Sequence, residues 1–145
     1  MPLLSPEELA LWQAIKVLGD EACQAVGRDI TAKTSLSGAD FAVLSKLDEL
    51  GDGQLQQRDL LTALGWDKSR LSHQLRRMED RGLITRSSGP GTVEATLTAA
   101  GRTALRATRP VHAAAIRDRA LRHIQPQERA ALLAVAQRVT QVLSE

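Results

Sequence analysis

The sequence predicts a mainly α-helical chain of the α+β kind, with one small β-hairpin set between helices. Three observations carry that reading. Apolar residues recur at spacings of three and four over most of the chain. Only residues 83–86 and 92–97 have strand character, and the turn-forming run Ser87-Ser88-Gly89-Pro90-Gly91 joins them as a two-stranded hairpin. Capping residues and glycines punctuate the rest at helix length. With 145 residues, 43% hydrophobic and 25% charged, one domain with a real core is expected.

The elements follow in order. Ser5-Pro6-Glu7-Glu8 starts a helix: Ser5 caps, Pro6 suits the first helical position and Glu8 completes a capping box. It should run to about Gly27 or a few residues beyond, with Leu9, Leu11, Trp12, Ile15, Leu18, Ala22 and Val26 apolar over a wide arc. So wide an arc needs more than one packing partner. Ser37-Gly38-Ala39-Asp40 starts a second helix with Phe41, Leu44, Leu47 and Leu50 as its buried stripe, ending at Gly51. A third, roughly 55–64, turns Leu55, Leu60, Leu61 and Leu64 inward and ends at Gly65. Thr98 caps a long helix through about His123, with Leu105, Val111 and Ile116 among its apolar positions and a bend expected at Pro110. A last helix begins at Gln125-Pro126-Gln127-Glu128 and repeats Leu132, Val135/Ala136, Val139 and Val142/Leu143. The two terminal helices carry more apolar surface than one small domain can cover, which favours a homodimer.

Between the third helix and the hairpin lies the most informative element. Asp67 caps a helix over about 68–81 whose apolar residues, Leu71, Leu75 and Met78, form one narrow stripe. Ser69, His73, Arg76 and Asp80 point away from it, flanked by Arg70 and Arg77. Residues 68–86 hold six basic side chains against two acidic ones. Residues 1–57 carry nine Asp/Glu against four Lys/Arg, and 58–145 carry fifteen Lys/Arg against eight Asp/Glu. The basic half suits a polyanion. Helix, glycine turn, basic helix and hairpin together read as a winged helix-turn-helix. The DNA major groove admits one such helix, packed by a thin stripe and presenting its other face to base edges.

Other classes find little support. One cysteine, Cys23, allows no internal disulfide or cysteine-rich metal site, and a reducing, cytoplasmic setting is expected. His73, His112 and His123 lack zinc-ligand spacing, so no metal or other cofactor is expected. The start, MPLLSPEELALW, does not read as a secretory signal, and no apolar run is long enough to span a membrane. No nucleophile elbow, phosphate loop or Ser/His/Asp set is found, so no enzyme is expected. Cys23 has no activating cation nearby in sequence and reads as a packed thiol rather than a redox sensor. Trp12 and Trp66 read as packing residues, Trp66 as a wedge between two helices.

The run GWDKSRLSHQLRRMEDRGLITR followed by LTAAGR resembles the winged-helix core of the MarR family of bacterial transcriptional regulators, with SRLSHQLRRME the most specific part. SGADFAVLSKL before it, and PVHAAAIRDRAL and IQPQERAALL after it, extend the resemblance over nearly the whole chain. The resemblance implies a homodimeric repressor. Interlocked N- and C-terminal helices (1–36 and 99–145) would hold two DNA-binding lobes (37–98) on a palindromic double-stranded operator. A small aromatic or phenolic effector would bind between the dimer region and the lobe, with Trp12, Phe41 and His112 as pocket candidates. The terminal helices also suggest a whole regulator rather than a fragment.

Carried over by position, Ser69, Arg70, Ser72 and His73 enter the groove, and Arg76 and Arg77 lie nearer phosphates. Arg86 stands at the wing base, and Gln54, Gln56 and Gln57 stand at the start of the preceding helix. One departure is visible. The family wing carries an Asp-x-Arg segment for the minor groove, whereas SSGPGTVEA has no arginine, leaving Ser87, Ser88 and backbone N–H groups. A winged-helix protein-interaction or regulatory module without DNA binding is therefore the competing reading.

Overall fold

A computed structural model describes residues 2–145. The chain begins with α1 (Pro6–Lys16), capped as expected: Ser5 N–H donates to Glu8 Oε2 at 2.7 Å, and Glu8 N–H donates to Ser5 Oγ at 3.2 Å. A single π turn, Val17–Glu21, leads without a break into α2 (Ala22–Lys33). The helix therefore passes Gly27 and ends at Thr34, whose hydroxyl donates to the Ile30 carbonyl at 2.8 Å. Gly27 does not stop the helix because its role is close approach. A Cβ on Gly38 would lie 2.9 Å from the Gly27 Cα, so the two glycines let α2 cross the start of the next helix.

That helix, α3 (Gly38–Gly51), is capped by Ser37 and closes with Asp52 in the left-handed region at φ 52°. β1 (Gln54–Gln56) follows, then α4 (Gln57–Leu64), ended by Gly65 at φ 66°. α5 (Lys68–Asp80) is capped by Asp67, which accepts the Arg70 N–H at 2.8 Å. The hairpin is β2 (Ile84–Gly89) and β3 (Thr92–Leu97). α6 (Ala99–Arg119) begins at Thr98 and continues through Pro110. A 3-10 turn, Leu121–His123, leads to α7 (Pro126–Leu143).

Two expectations need correction here. The sheet has three antiparallel strands in the order β1-β3-β2, because Gln54, Leu55 and Gln56 pair with Thr96, Ala95 and Glu94. Gln54 and Gln56 thus sit in a strand, and Gln57 alone of the three glutamines begins the helix. The hairpin is also longer than its turn composition suggested. Ser87 and Ser88 are strand residues opposite Glu94 and Val93, and the tip is confined to Pro90-Gly91.

The core lies in the lobe. Leu44, Leu47, Leu60, Leu71, Leu75, Met78, Ile84 and Ala95 are buried together, and Ile30 and Leu105 join them from α2 and α6. Leu50, expected on the buried stripe of α3, is instead 60% exposed at its last turn. Neither α1 nor α7 contains a buried residue. Leu9, Trp12, Ile15, Leu132, Val139 and Leu143 all face solvent in the single chain.

Candidate nucleic-acid interface

The site is built on α5. Leu71, Leu75 and Met78 are fully buried and anchor one side of the helix. Ser69, Arg70, His73, Arg76 and Arg77 all stand exposed on the other. Half-buried Trp66 packs against the core in the turn before α5. Its ring also carries the Arg70 guanidinium, 3.9 Å above the centroid, a cation–π contact that steadies Arg70 at the helix start. Arg76 and His73, three residues apart on one face, meet at 3.0 Å.

Other predicted residues are placed differently. Ser72 is half-buried and accepts from Gln57 Nε2 at 3.0 Å, so it ties α5 to α4. Arg86 is turned to Glu79: its Nε and Nη2 donate to Glu79 Oε1 at 3.3 and 3.1 Å, and its backbone N–H donates to Oε2 at 2.8 Å. These bonds hold the Glu79 carboxyl below the usual carboxylate range, with the Arg86 side chain as the larger cause. Gln54 donates its side-chain amide to Glu94. Arg86 and Glu94, the charged side chains of the wing strands, are thus both engaged within the protein, while Ser87 and Ser88 are exposed.

Two residues not singled out for the interface lie beside the wing. Arg58 and Lys68 line a cleft of about 280 Å³ with Gln56, Gln57, Gly91 and Thr92. They bring cationic charge to the edge of a wing whose tip has none. The sequence signal was only their sign; their convergence depends on β1 pulling the start of α4 against the hairpin.

A larger cavity, about 710 Å³, opens between α2, α3 and α6. Phe41 and His112 line it with their ring centroids 4.4 Å apart, and Cys23, Lys46, Arg109 and Ile116 complete much of the wall. Burial pushes the His112 imidazole below its ordinary value, with nearby Glu49 opposing. Trp12 does not line this cavity; it lies on exposed α1, one helix segment away. Cys23 is exposed rather than packed, because the wide apolar arc of the first helix is not covered within one chain. Among the described residues, no three His, Cys, Asp or Glu side chains gather as metal ligands, and no helix is long and apolar enough to cross a membrane.

A helix, a glycine turn, a helix packed by a thin apolar stripe, and a hairpin against its end define a winged helix-turn-helix protein. Residues 36–91 match the model of the MarR family. The fold is similar over its full length to AbsC, a MarR family transcriptional regulator from Streptomyces coelicolor (26% identity, 99% of each chain covered, TM-score 0.85). It is similar also to Sco3205, a MarR family transcriptional regulator of the same organism solved in complex with DNA (24% identity, 100% of this chain and 92% of that one, TM-score 0.87). BpsR of Bordetella bronchiseptica, whose DNA binding is regulated by 6-hydroxynicotinic acid, shares the fold (20% identity, 97% and 99% covered, TM-score 0.73). No curated protein matches the chain.

Proposed function

We propose that this protein is a sequence-specific double-stranded DNA-binding transcriptional regulator, a repressor acting in the cytoplasm as a homodimer on a palindromic operator. The observation that carries the reading is the two-sided build of α5. Its apolar stripe is sealed in the core, while Ser69, Arg70, His73, Arg76 and Arg77 stand together on an unobstructed outer face. Arginine reads guanine edges in bidentate fashion and also holds phosphates. Sco3205, of the same fold, was solved with DNA. The measurement is an anisotropy titration against DNA upstream of the protein's own gene and against random DNA at moderate salt. Tighter binding to the former is expected, and equal binding overturns the repressor reading.

The dimer rests on the uncovered apolar faces of α1 and α7. We assign residues 1–36 and 99–145 to dimerisation and 37–98 to the DNA-binding lobe. A two-fold pair of lobes would read a two-fold operator. The cavity between α2, α3 and α6 is the candidate effector site. Its Phe41–His112 pair suits an aromatic ring, and Lys46 suits an acidic substituent, while Arg109 is paired with Asp48. Calorimetric titration with aromatic carboxylates and phenols tests it; no heat from any of them removes the effector.

The competing reading, a winged-helix module that binds protein instead of DNA, is favoured by the wing, whose charged side chains are occupied internally. The same anisotropy titration separates the two.

A further inference from the structure

Behind the exposed face of α5 lies a buried carboxylate. Asp40, in the first turn of α3, is only 2% exposed. Its Oδ2 accepts from the Ser37 N–H at 2.8 Å and from Arg81 Nη1 at 2.7 Å, and Arg81 Nη2 donates on to the Ser35 carbonyl at 2.9 Å. Its Oδ1 accepts from Gln74 Nε2 at 2.6 Å. Gln74 is itself 4% exposed on α5, and its Oε1 accepts from Arg77 Nη2 at 2.7 Å.

Chemistry fixes the direction of this chain. An ionised carboxylate only accepts hydrogen bonds and a guanidinium only donates them. The Gln74 amide between them has one orientation that satisfies both. Asp40 takes the nitrogen, so the oxygen must face Arg77. The charge of Asp40 is met by Arg81, and Gln74 is neutral. Arg77 is therefore held without being neutralised. Arg86 is the contrast, because the carboxylate that fixes it also cancels it.

We propose that Asp40 and Gln74 are positioning residues for DNA binding, together holding the Arg77 guanidinium in one pose as a phosphate contact at the edge of the recognition face. This rests on the DNA-binding reading above. An arginine already fixed loses less freedom when it meets a phosphate, and it keeps four of its five N–H donors for the contact.

The test compares wild type, Arg77→Ala, Gln74→Met and the double variant on an operator fragment obtained by DNA selection, with affinities measured from about 50 to 200 mM salt. Arg77→Ala should lower the slope of log K against log salt by about one. Gln74→Met leaves the Asp40–Arg81 pair and the α3 cap in place, and should reproduce most of that loss. The double variant should be no worse than Arg77→Ala. A mere loss of stability moves none of these slopes. Wild-type slope in Gln74→Met, or additive losses in the double variant, overturns the proposal while leaving the DNA-binding reading intact. Wild type with no preference over random DNA overturns both. Should Gln74→Met not fold, Asp40→Asn serves instead: its amide can donate to Gln74 Oε1, turn that group from Arg77, and give the same loss of slope; an unchanged slope there overturns the proposal.

Discussion

α5 and α7 carry apolar stripes of the same kind and meet opposite fates. Leu71, Leu75 and Met78 are sealed inside the lobe, whereas Leu132, Val135, Val139 and Val142 remain 40–69% exposed. Both stripes advance by threes and fours along an amphipathic helix. The difference lies in where the partner is. α5 finds α3, α4 and the hairpin within the same chain; α7 finds nothing in its own lobe to close against. A periodic pattern states that a face needs covering and leaves open whether the cover is local or a second copy.

Substitutions in the two stripes should separate these cases most clearly. Leu75→Ala opens a cavity in the core and should cost about 2–5 kcal/mol, lowering the thermal midpoint equally at all protein concentrations. Val139→Asp should instead leave the lobe folded and weaken subunit association, so that the variant sediments as a monomer and the concentration dependence expected of the wild-type dimer's midpoint is lost. A Val139→Asp variant that still sediments as the wild-type dimer, with the same concentration dependence, breaks the comparison. Removing residues 126–145 should give monomers or aggregates in ultracentrifugation, and a well-behaved dimer would show that α7 is not the interface.

The outer face of α5 gives a smaller effect of another kind. Arg70→Ala should cost about 1–3 kcal/mol of preference for the operator over a mismatched site, with the dimer unchanged. Loss of the dimer would mean that the inner and outer faces of α5 are wrongly assigned. The cavity wall should respond to pH. The folded His112 imidazole sits below its ordinary value of 6.5, so the unfolded chain takes up a proton first. Above that value the histidine costs nothing; as pH falls through it toward the lower folded value, stability is lost. Wild type should therefore lose more thermal midpoint than His112→Phe between about pH 8 and pH 5.5, and equal losses would place the proton elsewhere. The smallest change is expected at the wing, where Ser88→Ala should alter operator affinity by less than about twofold in a titration at moderate salt.

Much of this was legible in the residues, and the reasons are local. Ser5, Ser37, Asp67 and Thr98 cap the helices they announce, because a capping side chain acts on an N–H two or three residues away. The buried stripe of α5 followed from its spacing alone. What escaped was what sequence-distant groups do to one another. The residues of β1 have no strand signal of their own, because Gln54, Leu55 and Gln56 form a strand only against Thr96, Ala95 and Glu94. Gly27 resembles a helix end in sequence because its partner, Gly38, belongs to another helix. Nothing near Gln74 in sequence points to Asp40, 34 residues away.

The π turn at Val17–Glu21 has a mechanical meaning. A π turn adds one residue to the helical winding, and one residue is worth about 100° of rotation. The rod is therefore geared. Leu9, Trp12 and Ile15 before the turn are set at a different azimuth from Val26 and Ile30 after it, and Ile30 is buried in the lobe core. One continuous helix can thus grip its own lobe with one segment and offer a differently aimed surface with the other. Deleting a single residue within 17–21 would re-phase the two by roughly a quarter turn. In the homodimer proposed above, the two lobes would then be carried at a new angle, though no residue of either would have been touched.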